Sequence, residues 1–259
     1  MTGRGNGREG ESVVKTTRDE LFASPLGRVA DFDFGRRTAE VFDDMLDRSV
    51  PFYEEIQHMC AELVDHFAGE KPRVYDLGCS TGTSLALIAQ RLAARSPRLI
   101  GLDSSPHMLE EARSKLAKLD LSTGVELRIA DLDDPILIED ADAVLMNLTL
   151  QFVRPLHRER LLRGIFEGLE PGGCFILIEK VTSESSLLHR MYVDLYHDFK
   201  ARKGYSDLEI SQKREALENV LIPYRISENE QLLRRSGFEL VDMFFRWYNF
   251  AGFIAVKSR

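Results

Sequence analysis

The sequence predicts an α/β domain built on a mostly parallel sheet with helices on both faces. Five apolar runs of strand length recur through the middle of the chain, and segments of helical or turn character separate them. A glycine-containing loop follows the first run, at the edge where an open parallel sheet binds its ligands. Of the 259 residues, 44% are hydrophobic and 29% charged, which is enough apolar surface for one domain with its own core.

Residues 1–16 are Gly-rich and charged without hydrophobic period, and are predicted to be a disordered tail ahead of a single domain over 17–259. Within 38–67, Val41, Met45 and Leu46 and then Ile56, Met59, Cys60 and Leu63 recur at helical spacing, with Pro51 interrupting them. Two helices therefore precede the sheet and make 17–70 an N-terminal helical region. The five strands are placed at 73–77, 99–103, 125–130, 143–147 and 174–179, giving a core over 71–180. Residues 158–169 read as a helix that Glu170-Pro171-Gly172-Gly173 stops and turns into the fifth strand.

After Lys180 the alternation ceases, and 181–226 carry a helical pattern that reads as an insertion. Ser206 and Glu209 have capping-box spacing there, so a helix is expected to start at Asp207 and to carry Lys213 and Arg214. A last helix at 227–236 and strand-like runs at 238–245 and 250–256 occupy the final segment, 227–259.

Charge narrows the function classes. Lys and Arg number 34 against 42 Asp and Glu, a net charge of -8, which argues against a large nucleic-acid footprint. One short basic run, Lys200, Arg202 and Lys203, is followed by Asp207 and Glu209 and reads as a solvated helix end. No apolar run approaches bilayer-spanning length and the N-terminus is polar, so a cytoplasmic protein is expected. Cys60, Cys79 and Cys174 stand far apart with no CxxC pair or histidine cluster, and neither disulfide nor metal is expected.

The chemistry starts at Val74-Tyr75-Asp76-Leu77-Gly78-Cys79-Ser80-Thr81-Gly82. Glycines let the backbone turn tightly between strand and helix and approach a ligand, and a helix N-terminus favours an anionic group. Ser80 stands where a dinucleotide loop needs its second glycine, which disfavours a dinucleotide. Asp103 ends the second strand, where two carboxylate oxygens suit a ribose diol or, alternatively, a helix cap at Ser104-Ser105-Pro106. Asp131 after strand three suits an adenine amino group, and Asn147 ends strand four. Gly78-Cys79-Ser80-Thr81-Gly82 also satisfies the GxSxG nucleophile elbow, but no HGGG-like segment precedes it, and His157, His189 and His197 fall in or beside helices. Loop, spaced acids and Leu169-Glu170-Pro171-Gly172-Gly173 together point to a class I, Rossmann-like pocket for S-adenosylmethionine.

Further motifs sharpen this. They are Arg18-Asp19-x-Leu21-Phe22, Ala39-Glu40-Val41-Phe42, Arg48-Ser49-Val50-Pro51-x-Tyr53, Tyr75-Asp76-Leu77-Gly78-Cys79-Ser80 and Asn147-x-Thr149-Leu150-Gln151-Phe152. Later stand His197-Asp198-Phe199-Lys200 and Gly204-Tyr205-Ser206-x-Leu208-Glu209-Ile210-Ser211-Gln212-Lys213-Arg214, the last being the most specific because it lies in the insertion. On these residues the sequence resembles the carboxy-S-adenosyl-L-methionine synthase family. The resemblance implies a seven-stranded methyltransferase-type fold, S-adenosyl-L-methionine and prephenate as substrates, carboxyl transfer to the cofactor methyl through a sulfonium ylide, and phenylpyruvate as coproduct. It implies a homodimer, and a product handed to a transferase that builds 5-carboxymethoxyuridine at the wobble position of transfer RNA, with no direct contact to nucleic acid or membrane.

By the same resemblance Tyr53, Gly78, Cys79, Ser80, Asp103, Ser104, Asp131, Leu132 and Asn147 line the cofactor pocket. Arg214 is then the catalytic residue that holds the new carboxylate, as a guanidinium can through two parallel hydrogen bonds. The plainer alternative for Arg214 is a surface ion pair with Glu218, one turn on. Methyl transfer to a small molecule on the same fold is the competing activity.

Overall fold

The computed structural model describes residues 18–119 and 124–259, so the predicted tail lies outside the described residues. Helices α1 (Arg36–Ser49) and α2 (Tyr53–Phe67) come first, with the break at Val50–Phe52 where Pro51 denies the helix a backbone donor. The core alternates β1 (Arg73–Leu77), α3 (Thr83–Arg91), β2 (Arg98–Asp103), α4 (Pro106–Leu116), β3 (Val125–Ile129), β4 (Ala141–Asn147), α5 (Pro155–Gly168) and β5 (Leu169–Thr182). Then follow α6 (Ser186–Arg202), α7 (Asp207–Leu217), the two-residue β6 (Tyr224–Arg225), α8 (Ile226–Arg235), β7 (Leu240–Trp247) and β8 (Phe250–Val256).

The main sheet runs β3-β2-β1-β4-β5-β8-β7, and β6 pairs separately with the far end of β5. β1 to β5 are parallel; β8 lies antiparallel to both β5 and β7. The strand order reverses between β1 and β4, the switch point where a crevice opens at the carboxyl ends of open α/β sheets.

Period-two alternation sorts the strands' side chains into two cores. Tyr75, Ile100, Val144 and Phe175 face one side, packed with Leu161, Leu162 and Ile165 of α5 and Leu232 and Leu233 of α8. Their neighbours Val74, Leu99, Leu145 and Ile176 face the other, against Ile56, Cys60 and Val64 of α2 and Leu85 and Ile88 of α3. Leu85 is fully buried, a burial that contributes on the order of 1.5–3 kcal/mol. All three cysteines are buried thiols. No helix among the described residues is long and apolar enough to cross a membrane.

Three expectations need correction. Glu170-Pro171-Gly172-Gly173 is not a free turn: β5 already pairs at Leu169 with Ala141, bulges, and resumes at Cys174 opposite Ala143, with Gly172 at φ 88. The bulge satisfies these backbone groups through the C-terminal segment, Gly172 N–H donating to Lys257 O and Lys257 N–H to Gly173 O. The expected helix at 158–169 is α5, which starts earlier because Pro155 is well placed in a first turn. The basic run is not a solvated helix end either: Arg202 and Lys203 are exposed, but Lys200 turns inward and is only 6% exposed.

Candidate active site

The loop after β1 is fixed by its backbone. Gly78 and Cys79 N–H groups both donate to the Leu102 carbonyl, at 2.7 and 2.9 Å, which bends the chain across β2. Gly78 and Gly82 have φ 76, and a Cβ at Gly78 would lie 2.3 Å from Thr149 Cγ2. Ser80 adopts the same left-handed region at φ 48, and its N–H donates to Asp103 Oδ2 at 2.9 Å. A non-glycine residue held there costs of order 1–3 kcal/mol, and the Asp103 bond helps retain it. α1 braces the loop from outside: Thr81 donates to Asp43 Oδ1 at 2.6 Å, and Lys115 Nζ pairs with Asp43 Oδ2 at 2.7 Å.

Two cavities meet over this loop. One, lined by Tyr53, Asp76, Cys79, Thr83, Asn147 and Gln151 among others, lies beneath α1 and α2; the second, lined by Asp103, Ser104, Asp131 and Leu132, lies over β2 and β3. They share Gly78, Ser80, Leu148 and Phe152, so together they form one elongated crevice at the switch point. Every cofactor residue expected from the sequence lines it except Arg214. That side chain lines a third cavity, which abuts the first along Lys180, Tyr196, Lys213, Leu217 and Leu221. Arg214 is exposed, and the surface pair with Glu218 does not form among the described residues.

Asp103 stands two residues ahead of the cap of α4 and is not the cap itself. Its Oδ1 accepts the Ser105 N–H at 2.8 Å, while Ser105 caps α4 by accepting the Met108 N–H at 3.3 Å. Each carboxylate oxygen keeps a second lone pair, enough for a diol. Asp131 is exposed and turns one oxygen to the Asp133 N–H at 2.9 Å; Leu132 beside it is buried.

Asp76 is a site residue that the sequence offered only as part of the loop. It is 1% exposed, its Oδ2 has no partner, and burial, reinforced by the Asp103 charge, pushes its carboxyl up to about 7. Asn147 Oδ1 is likewise buried without a partner. An orphaned acid and an orphaned amide oxygen in the same cavity fit an ammonium group. Burial raises the Cys79 thiol and the Tyr53 hydroxyl, so neither is an anionic nucleophile at neutral pH. Ser80 Oγ bonds only the Gly78 carbonyl, at 3.4 Å, and His157 pairs instead with Asp133, leaving the nucleophile-elbow alternative without a base among the described residues.

The roof joins motifs from opposite ends of the sequence. Tyr205 OH donates to Asp19 Oδ2 at 2.6 Å, Lys213 Nζ reaches the same oxygen at 3.4 Å and Ser49 Oγ at 3.1 Å, and Arg48 lies 3.9 Å over the Tyr205 ring. Gln212 clips the N-terminal segment, donating to the Phe22 and Ser24 carbonyls and accepting the Leu26 N–H at 2.7 Å. That segment carries Phe32 and Phe34 over the crevice, Phe34 edge-on to Phe152 at 5.2 Å. Gln151 anchors the floor: its Oε1 accepts the Lys180 N–H, and its carbonyl accepts from Ile222 N–H and the buried Arg158.

Comparison with known proteins gives three kinds of match. A family profile described as a methyltransferase domain covers residues 74–173. The carboxy-S-adenosyl-L-methionine synthase of Methylococcus capsulatus is 51% identical over 93% of this chain and 100% of its own length, and that of Desulfotalea psychrophila is 46% identical over 93% and 98%. The chain belongs to the carboxy-S-adenosyl-L-methionine synthase family. Among solved structures, the S-adenosylmethionine-dependent methyltransferase SibL superposes with TM-score 0.57 at 20% identity, covering 85% of this chain and 57% of SibL. An O-methyltransferase family protein from Burkholderia thailandensis gives TM-score 0.61 at 18% identity, over 88% and 64%. These likenesses place the sheet in the class I methyltransferase fold.

The crevice fits the family's sulfonium nucleoside. Asp76 and Asn147 would receive the amino-acid end, Asp103 the ribose hydroxyls, and Asp131 with Leu132 the adenine. When bound, that compound supplies an activated methyl carbon. The protein supplies a pocket walled on that side by Tyr53, Phe32 and apolar residues of α1. No group of three or more His, Cys, Asp or Glu side chains among the described residues is arranged to hold a metal.

Proposed function

We propose that the enzyme converts S-adenosyl-L-methionine and prephenate into carboxy-S-adenosyl-L-methionine and phenylpyruvate. The observation that carries this reading is the 51% identity over 93% of the chain to a carboxy-S-adenosyl-L-methionine synthase, and cationic side chains beside the first cavity support it. In the overall exchange prephenate gives up its ring carboxylate and its hydroxyl and becomes aromatic. The nucleoside's methyl carbon gives up a proton and takes the carboxylate, and proton and hydroxide leave as water. Aromatisation drives the balance.

Arg214 receives the new carboxylate through its guanidinium fork, a role that methyl transfer does not need. Its place in the adjoining cavity, next to Lys213 and Leu217 of the shared wall, is compatible with reaching across that wall. The product passes to a transferase that carboxymethylates the wobble uridine of transfer RNA. The enzyme itself acts on small molecules, as a homodimer in the cytoplasm, consistent with its net charge of -8. Mass analysis of a reaction with S-adenosyl-L-methionine and prephenate tests the chemistry. Phenylpyruvate together with a nucleoside heavier by one carbon dioxide is expected; an unchanged nucleoside, or methyl transfer to a small acceptor instead, rejects it. Light scattering tests the dimer.

A further inference from the structure

The cavity between β5, α6 and α7 holds an excess of positive charge that the protein does not neutralise. Lys180, Lys200, Lys213 and Arg214 line it, with Glu218 as its acid. Lys213 is already paired with Asp19. Lys180 and Lys200 have no carboxylate partner among the described residues; their ammonium groups lie 4.8 and 4.6 Å from the centre of the Tyr196 ring. Cation–π contact offsets only part of the cost of burying a cation, which ordinarily requires an anion.

A second observation comes from another element. Asn249, between β7 and β8, is 2% exposed and lines this cavity, yet neither its Oδ1 nor its Nδ2 has a partner. Buried polar groups are satisfied in the working state of a protein, so an amide left open on both atoms marks a ligand that both accepts and donates hydrogen bonds. A carboxylate accepts and a hydroxyl donates. The cavity measures about 360 Å³, within the range of small-molecule sites.

We propose that this cavity binds the anionic co-substrate, a small cyclic dicarboxylate bearing a hydroxyl, with Lys200 and Lys180 holding its carboxylates and Asn249 its remaining polar edge. This deepens the proposed function and rests on it for the identity of the substrate. Lys180 and Lys213 lie on the wall shared with the nucleoside cavity, so a carboxylate released here opens toward the methyl-bearing end and Arg214. Burial, then the neighbouring cations, lower Lys200 to about 7 and Lys180 to about 8, and an anion placed between them would raise both again. The other titratable groups facing these lysines are His189, Tyr196 and His197 of α6 and Glu218 after α7.

The site also discriminates substrate from product by charge, since the dicarboxylate leaves as a monocarboxylate. The test is titration of the full-length protein, saturated with the demethylated nucleoside S-adenosylhomocysteine so that no turnover occurs, with prephenate, with the unreactive dicarboxylate isophthalate and with benzoate. Wild type is expected to bind both dicarboxylates more tightly than benzoate. Lys200→Met is expected to weaken dicarboxylate binding, and to raise KM for prephenate, by about tenfold or more, the loss of one charged hydrogen bond, with S-adenosylmethionine affinity kept within about twofold. Asn249→Ala is expected to act in the same direction and decides the matter if Lys200→Met does not fold. Unchanged dicarboxylate binding in a folded variant, or no preference over benzoate in wild type, overturns the proposal. Lys200-dependent dicarboxylate binding without turnover of prephenate leaves the cavity assignment standing and removes the proposed reaction.

Discussion

At Asp76 stability and binding pull in opposite directions. An unfolded aspartate titrates near ~4, whereas burial holds the folded carboxyl at about 7. Between those values the folded chain binds the extra proton, so the stability this group contributes declines as pH rises from about 4 to 7. Affinity for a ligand ammonium needs the carboxylate and therefore rises over the same interval. Titration calorimetry of S-adenosylmethionine from pH 5.5 to 8.5, roughly bracketing that pKa, should show tightening to a plateau. Asp76→Asn should raise the melting temperature of the ligand-free protein, weaken binding by about tenfold or more, and flatten the pH profile. A profile unchanged by the substitution would remove Asp76 from the site. Gly78→Ala tests the loop separately: at φ 76 with Thr149 Cγ2 2.3 Å from the new methyl, it should cost at least ~1–3 kcal/mol in chemical denaturation and abolish nucleoside binding.

Elements are where the family motifs find their physical meaning. Asp19 and Lys213 belong to motifs from opposite ends of the sequence, and their contact fastens the N-terminal segment and α1 to α7. Asp19→Ala strips a buried network of its acceptor and should cost ~3–5 kcal/mol, because Lys213 is then left buried and uncompensated. Tyr205→Phe, which removes one hydrogen bond to Asp19, should cost less, ~1–3 kcal/mol. Equal costs in urea unfolding would mean that the network is not held by Asp19. The start of α7 was legible in the sequence because a capping box is local: Ser206 accepts the Glu209 N–H, and Glu209 Oε2 accepts the Ser206 N–H at 2.7 Å. The inward turn of Lys200 was not legible. A helical lysine carries no sign of which way it faces until α7 is packed beside it, and its run with Arg202 and Lys203 looked like solvent-facing charge.

For the whole molecule, the alternation of strand and helix from 73 to 179 suffices to read the parallel sheet, because right-handed crossovers leave few other topologies. Asp103, Asp131 and Asn147 could be read for the same reason, each standing at a strand end, whereas Tyr53, at the start of α2, came only from the family motif. What escaped depends on distant pairing: the bulge that draws Glu170 to Gly173 into β5 needs Ala141 and Lys257 as partners, and Asn249 gains its meaning only because β8 lies against β5. The crevice spans both halves of the sheet, so its ligand should stabilise the domain as one unit. At a hundredfold excess over Kd, S-adenosylmethionine should add about 2.7 kcal/mol, a rise of roughly 5–10 °C in Tm by scanning calorimetry for a chain of this size. A shift confined to part of the transition would contradict that coupling.

The fastening of Asp19 and Ser49 to Lys213 also sets a timetable for synthesis. A chain emerging from the ribosome has delivered the glycine loop and β1 to β5 before α7 leaves the exit tunnel, so the floor of the crevice can form while its roof is still missing. Until α7 arrives, Phe32 and Phe34 have their packing against Phe42, Met45 and Met108, but the segment ahead of them lacks its Gln212 clips and the Phe32 N–H lacks its Ala216 acceptor. For that interval the nascent enzyme presents an open apolar trough, and nucleoside binding by the growing chain should begin only once the seventh helix is free to fold back.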